Sequence, residues 1–150
     1  MSIEIKSGDL FSTDAKYICH QVNCMGKMGA GIARTIREKY PEAYEEYVLM
    51  CKYEWIPAEL LGYTQIVPSR DKLIANLFAQ ERYGFDGKRY TDYDAFRRCL
   101  QSLKRAVPVG YQIAFPYGIG CGRGGGEWDV MCGIIEDELS HDYRVEIWKK

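Results

Sequence analysis

Two glycine-rich loops, each placed between a predicted strand and a predicted helix, constrain the fold of this chain more than any other feature. The first loop, residues 26–32, follows the apolar run 17–22 and leads into a segment with helical periodicity. The second loop, residues 118–126, follows the short apolar run 111–115 and leads into a helix from Glu127. Two strand–loop–helix units predict a sheet with helices on both faces and both loops at one sheet edge.

The apolar periodicity of the whole chain predicts elements in the order β-β-α-α-β-β-α-β-α-β. Strands at 61–67 and 72–79, joined by a turn, favour a mixed rather than a purely parallel sheet. A capping box at residues 91–94 predicts the start of a helix. The fold class is therefore an α/β, three-layer α/β/α sandwich with a mixed sheet of mostly six strands. The other predicted strands are residues 3–6, 17–22, 111–115 and 143–148, and the other helices begin near Ile32, Pro41 and Glu127.

Length and charge limit the possible functions. A chain of 150 residues fits one domain, residues 1–150, with a real core. A formal net charge of −1 argues against a protein that holds nucleic acid mainly through phosphates, although a local basic patch stays open. No stretch approaches the ~20 apolar residues of a membrane span, and residues 1–6 lack a signal-peptide core. We expect a cytoplasmic protein with no membrane partner; oligomeric state stays open.

The cysteines and histidines do not form a metal-binding pattern. No C-x-x-C pair occurs, and His20 and His141 are the only histidines. We therefore expect neither a metal site nor a cofactor, and without an export signal we expect reduced thiols. The cysteines are Cys19, Cys24, Cys51, Cys99, Cys121 and Cys132.

The setting of the two glycine loops predicts an anion site. A helix N-terminus offers free N–H groups and a partial positive charge, and glycines let the backbone approach a ligand closely. Two such loops at one sheet edge could hold both phosphates of a diphosphate. Glycines that serve only as turns are the alternative. Neither loop is a P-loop, and residues 28–31 of the first loop do not form a G-x-G-x-x-G motif.

The chain resembles the macrodomain family, whose members bind ADP-ribose. The resemblance extends over nearly the whole chain and is closest to the branch that includes the terminal ADP-ribose–protein glycohydrolase and small phage and bacterial macrodomains. The motifs that support it are Gly8-Asp9-Leu10, His20-Gln21-Val22-Asn23, Met28-Gly29-Ala30-Gly31-Ile32-Ala33, and Pro116 with Ile119-Gly120-Cys121-Gly122 before Trp128.

The resemblance implies a role for each matching position. Asp9 would accept a hydrogen bond from the adenine amino group, and Asn23 with residues 28–32 would meet the distal ribose and a phosphate. Residues 119–124 would wrap the diphosphate and ribose. Trp148 would border the adenine or close the core. The implied ligand-binding residues are Gly8, Asp9, Leu10, Asn23, Met28, Gly29, Ala30, Gly31, Ile32, Pro116, Ile119, Gly120, Cys121, Gly122, Arg123, Gly124 and Trp148.

The sequence departs from the glycohydrolase of that branch at two catalytic positions. Gln80 and Gly124 stand where that enzyme has a lysine and an acid; glutamine forms no Schiff base and glycine has no carboxylate. The candidate catalytic residues are therefore Asn23, as a group that orients water, and Gln80. Substitute bases or nucleophiles are Glu81, Glu127, Asp129, His20 and Cys121, although the last two also fit packing roles.

Three functional hypotheses follow. The first is a hydrolase that cuts an ester, O-acyl or 1″-phosphate bond at the distal ribose of ADP-ribose derivatives, with ADP-ribosylated protein or nucleic acid as possible substrates. The second is a non-catalytic module that reads or sequesters ADP-ribose, and the third is an unrelated α/β domain. We also expect Gly120→Glu to abolish binding because its carboxylate would enter the phosphate cradle.

Overall fold

A computed structural model describes residues 2–84 and 86–150 and contains one six-stranded sheet in the order β1-β6-β5-β2-β4-β3. Strand β3 at the edge runs antiparallel to β4, whereas the other neighbours are parallel. The mixed sheet is therefore confirmed. The strands are β1 Ser2–Ser7, β2 Tyr17–Asn23, β3 Thr64–Ser69, β4 Lys72–Gln80, β5 Gln112–Pro116 and β6 Arg144–Lys149.

Helices cover both faces of the sheet, as predicted. One apolar core lies between the sheet and helices α1 and α2, and the other lies between the sheet and α3 and α4. In α3 the side chains of Phe96, Leu100 and Leu103 are fully buried because helical periodicity puts these residues on one face. The helices are α1 Gly31–Lys39, α2 Pro41–Tyr53, α3 Tyr93–Ala106 and α4 Trp128–Leu139, with 3₁₀ turns at Leu10–Ser12 and Pro57–Leu60.

The start of β3 and the cap of α3 differ from the prediction. Strand β3 begins at Thr64 rather than residue 61, because the Pro57–Leu60 turn continues into Gly62 at φ +87°. Helix α3 is capped by Asp92, whose carboxylate accepts the N–H of Ala95 at 2.9 Å. The predicted capping box, headed by Thr91, does not form. The Thr91 hydroxyl instead bonds to the second glycine loop.

The sheet topology brings five chain segments to one edge. Strands β1, β6, β5, β2 and β4 are mutually parallel, so their carboxyl ends lie along the same side of the sheet. Strand β2 leads into the first glycine loop and β5 into the second. Within the described residues, no helix is long and apolar enough to cross a membrane.

Candidate ligand-binding cleft

A cleft runs along the carboxyl edge of the parallel strands and has two halves. The inner half, about 800 Å³, is lined by both glycine loops and by the ends of β2 and β4. The outer half, about 410 Å³, is lined by residues at the ends of β1 and β6. Both halves share Ile32, Pro116 and Tyr117, which we call the saddle. These dimensions are typical of small-molecule sites.

The first glycine loop presents an uncapped helix N-terminus to the inner half. Helix α1 has no side-chain cap and no acidic residue in its first turn. Within the described chain, the N–H groups of Gly31, Ile32 and Ala33 donate to no backbone carbonyl. A Cβ added at Gly29 or Gly31 would meet open space. This end of α1 is therefore electrostatically and sterically suited to an anion.

The side chain of Asn23 holds the first loop in place through hydrogen bonds. Its Oδ1 accepts the N–H of Met25 at 2.9 Å and the hydroxyl of buried Tyr47 at 2.8 Å. Its Nδ2 donates to the carbonyl of Lys27 at 2.9 Å. Among the described residues, the second hydrogen of Nδ2 has no acceptor. Asn23 thus positions the loop and keeps one N–H for a further partner.

The second glycine loop contains two kinds of glycine. A Cβ at Gly118 or Gly122 would meet open space, whereas one at Gly124 would lie 2.5 Å from Thr91 Oγ1 and 2.6 Å from the Gly120 carbonyl oxygen. Within residues 2–84 and 86–150, the N–H groups of Gly120, Gly122 and Gly124 donate to no backbone carbonyl. This loop therefore combines unpaired donors with a tightly packed inner side.

The expectation that the carboxylate of Gly120→Glu would enter the phosphate cradle is wrong. A Cβ at Gly120 would lie 2.6 Å from Met131 Cε and 2.8 Å from Gln21 Oε1. The residue also has φ +74°, which disfavours any side chain. A carboxylate there would point into the protein rather than into a phosphate cradle.

The outer half is built around Trp148. Its indole N–H donates to Glu146 Oε1 at 2.9 Å, which fixes the ring. A Cβ at Gly8 would lie 3.4 Å from that ring. Trp148 also packs against the core under α1 and α2, so it closes the core and lines the cleft. Asp9 accepts the N–H of Phe11 at 2.9 Å and lies 3.8 Å from the Lys150 ammonium.

The charged residues that line the cleft are mostly cationic. Among the described lining residues, Asp9 in the outer half has the one side-chain carboxylate, and the inner half contains none. Glu81, Glu127 and Asp129 do not line either half. The cleft is locally basic in a chain of net charge −1, which suits an anionic ligand. Its cations are Lys27, Arg123, Lys149 and Lys150.

Neither His20 nor Cys121 is placed as an activated group. His20 is 2% exposed, and its Nε2 lies 2.5 Å from Asn76 Oδ1. Burial lowers the pKa of His20 to about 4, against the opposing effect of that hydrogen bond, so the ring is neutral near pH 7. The half-buried Cys121 thiol donates to the Ile119 carbonyl at 3.4 Å, and burial raises its pKa. Both residues have packing roles.

Comparison with known proteins identifies the fold. No family model matches the chain. It is 34% identical over 104 residues to an ADP-ribose 1''-phosphate phosphatase of Meyerozyma guilliermondii, covering 67% of this chain and 58% of that protein. It is 44% identical over 46 residues to a DNA ADP-ribosyl glycohydrolase of Mycobacterium bovis, covering 31% and 13% respectively. The macrodomain of Mycobacterium tuberculosis DarG superposes with a TM-score of 0.78 at 24% identity, over 99% of this chain and 97% of that one. The chain belongs to the macrodomain family.

This macrodomain spans less than two thirds of the length of either curated relative. Its cleft brings together most of the residues that the sequence singled out. The inner half contains Asn23, Gly29, Ala30, Gly31, Ile32, Gln80, Pro116, Ile119, Gly120, Gly122, Arg123 and Gly124. The outer half contains Gly8, Asp9, Leu10 and Trp148. Their roles toward a ligand stay predictions.

Two of the predicted ligand-binding residues do not line the cleft of this macrodomain. Met28 is buried in the core under α1, and Cys121 packs against the core on the other face of the sheet. Sequence reasoning also missed lining residues of the macrodomain, among them Lys27, Tyr117 and Gln21. The position of Lys27 in an anion-binding loop could have indicated a cation in the cleft. Gln21 belongs to the motif at residues 20–23, but nothing in the sequence indicates that its side chain lines the cleft.

Proposed function

We propose that residues 1–150 form one ADP-ribose-binding domain. The adenosine would occupy the outer half beside Trp148, the diphosphate would lie between the two glycine loops, and the distal ribose would enter the inner half. The observation that supports this most strongly is that two sets of unpaired backbone N–H groups, one from each loop, line the same basic cleft. A cytoplasmic location stays part of this proposal.

The proposal includes hydrolysis of a bond at the distal ribose, in an ester, an O-acyl derivative or a 1″-phosphate. The free Nδ2 hydrogen of Asn23 would orient a water or a ribose hydroxyl at this end. The water oxygen forms a bond to the carbonyl carbon of an ester or O-acyl group, or to the phosphorus of a 1″-phosphate. The leaving oxygen takes the electron pair of the broken bond, and the water proton passes to it through solvent. Rate enhancement would come from positioning and from the basic cleft, because the described inner half offers no side-chain carboxylate as a base.

A non-catalytic module that reads or sequesters ADP-ribose is the second candidate. The hydrogen bonds of the two candidate catalytic residues, Gln80 and Asn23, favour this function. Gln80 accepts from Gln21 at 2.7 Å and donates to the carbonyl of Arg82 at 2.8 Å, and Asn23 is bound to its own loop. Both amides therefore have structural roles that do not require catalysis.

Calorimetric titration with ADP-ribose tests the binding, and absence of heat together with an unchanged melting temperature would refute it. Incubation with ADP-ribosylated protein, ADP-ribosylated DNA, O-acetyl-ADP-ribose and ADP-ribose 1″-phosphate tests the hydrolysis. Product from the wild type that is lost in Asn23→Ala supports the hydrolase. Tight binding without product from any substrate supports the module.

A further inference from the structure

The inner side of the second glycine loop is held by one short segment that does not line the cleft. Thr91 is 2% exposed, and its hydroxyl donates to the Gly120 carbonyl at 2.7 Å. The N–H groups of Tyr90 and Thr91 both donate to the Gly124 carbonyl, at 2.7 and 2.9 Å. Two carbonyls of the loop are thus bound on the side away from the cleft.

The Thr91 hydroxyl is itself oriented by a chain of side-chain amides. Gln21 Nε2 donates to Thr91 Oγ1 at 2.8 Å and to Gln80 Oε1 at 2.7 Å. Gln80 Nε2 in turn donates to the carbonyl of Arg82 at 2.8 Å. Because Thr91 accepts from Gln21, its single hydroxyl hydrogen is available for Gly120. The ends of β2 and β4 are thereby connected to the second loop.

At Gly124 and Gly126 of the second loop, the packing around Thr91 and the Gly120 carbonyl leaves no room for a side chain. A Cβ at Gly124 would lie 2.5 Å from Thr91 Oγ1, and one at Gly126 would lie 2.9 Å from the Gly120 carbonyl oxygen. The Gly126 N–H also donates to that oxygen, at 2.8 Å. The position of the Gly120 carbonyl therefore depends on Thr91, and so does the direction of the unpaired N–H groups on either side of it.

We propose that Thr91, oriented by Gln21, is a positioning residue for diphosphate binding. It holds the second glycine loop in the conformation in which the N–H groups of Gly120, Gly122 and Gly124 are presented to the cleft. This inference rests on the proposed function, since it assigns the diphosphate to that loop. It also gives Gln80 a role in the same hydrogen-bond chain.

The test compares Thr91→Val, which keeps the shape and removes the hydroxyl, with Thr91→Ser, which keeps the hydroxyl. We expect Thr91→Val to weaken ADP-ribose binding roughly tenfold, because one hydrogen bond to a buried carbonyl is lost. The affinity of Thr91→Ser for ADP-ribose should stay within about threefold of wild type. Adenosine, which has no phosphate, should bind both variants as it binds wild type. Gln21→Met should shift ADP-ribose affinity in the same direction as Val, and it serves as the test if Thr91→Val does not fold.

A matched control exists on β3, the strand at the antiparallel edge of the sheet. Thr64 is also buried, and its hydroxyl donates to the Cys99 carbonyl at 2.6 Å. Thr64→Val removes an equivalent bond and should leave ADP-ribose affinity unchanged. Wild-type affinity in Thr91→Val, or equal losses in the Thr91 and Thr64 variants, would overturn the positioning role.

Amide hydrogen exchange separates this inference from the proposed function. Exchange of the Gly126 N–H should be at least about tenfold faster in Thr91→Val than in wild type without any ligand, since its acceptor is no longer held. Unchanged exchange refutes the role of Thr91 even if ADP-ribose binds. Faster exchange in a protein that does not bind ADP-ribose refutes the proposed function, and with it the assignment of the loop to a diphosphate.

Discussion

The two glycine loops are similar in sequence setting but differ in what their glycines accommodate. In the first loop, Gly29 and Gly31 face open space, and the loop is held through Asn23. In the second, Gly120 and Gly124 face the protein interior and are packed against Thr91. Glycines thus leave room for a ligand in the first loop, whereas in the second loop Gly118 and Gly122 leave room and Gly120 and Gly124 fit the loop to its own protein. Substitutions in the two loops should therefore have different consequences.

The largest expected effect is on ligand binding by Gly29→Glu. Its side chain would project into the cleft beside the N-terminus of α1, where the carboxylate would occupy the anion site and repel a diphosphate. We expect ADP-ribose affinity to fall by roughly a hundredfold or more in calorimetry, with little change in melting temperature. Gly133→Glu on α4, also facing open space, is the charge-matched control and should bind normally. Normal binding by Gly29→Glu would contradict the assignment of the first loop.

The next effect compares two glycines of the second loop. Gly124→Ala should lower the free energy of unfolding by about 1–3 kcal/mol, because its methyl group overlaps Thr91 and Gly120. Gly122→Ala, whose methyl group meets open space, should change it by less than about 0.5 kcal/mol. Urea denaturation measures both. Equal losses would mean that the distinction between inward-facing and open glycines is wrong.

A smaller effect is expected from the cation of the first loop. Lys27 lines the inner half, so Lys27→Met should weaken ADP-ribose binding by about three- to tenfold at low salt and less at high salt. Lys52→Met, on the exposed side of α2, is the control. If the salt dependence of affinity is the same in Lys27→Met and wild type, Lys27 does not contribute its charge to binding.

The smallest expected effect is that of pH on affinity. Backbone N–H groups do not titrate and His20 stays neutral, so ADP-ribose affinity should vary by less than about twofold between pH 6 and 8. Stability behaves differently. The pKa of folded His20, about 4, lies below its unfolded value of about 6.5, so the unfolded chain binds the proton more readily. This contribution to stability is fully present above pH 6.5 and is lost as pH falls toward 4. A His20→Asn variant that keeps the same acid dependence would show that other groups cause it.

The apolar pattern was sufficient to predict all ten major elements in order, because each helix buries one face against the sheet and the sheet has an apolar core on both faces. Local capping was harder, since Thr91 and Asp92 can both cap a helix. Asp92 is the cap because the Thr91 hydroxyl donates instead to the carbonyl of Gly120, 29 residues away along the chain. Periodicity contains no information on such a contact.

The sequence predicts the site residues that lie at the ends of strands. It does not predict contacts that depend on which strands are neighbours in the sheet. Asn23, Gln80 and Pro116 end parallel strands, so their common edge follows from the fold class. Gln21 reaches both Gln80 and Thr91 because β2 lies directly beside β4 in the sheet. Met28 and Cys121 pack against the two cores in the folded protein, and the sequence does not reveal which loop residues do so.

The saddle of Ile32, Pro116 and Tyr117 divides the cleft into two linked subsites. A ligand that fills one half gains only the contacts of that half. A ligand with a flexible centre can fill both, and once one end is bound, the other is held near its subsite at a high effective concentration. The saddle therefore favours molecules with two recognisable ends over fragments of either. Shortening the ligand should cost more affinity than the lost contacts alone, as for a bivalent binder.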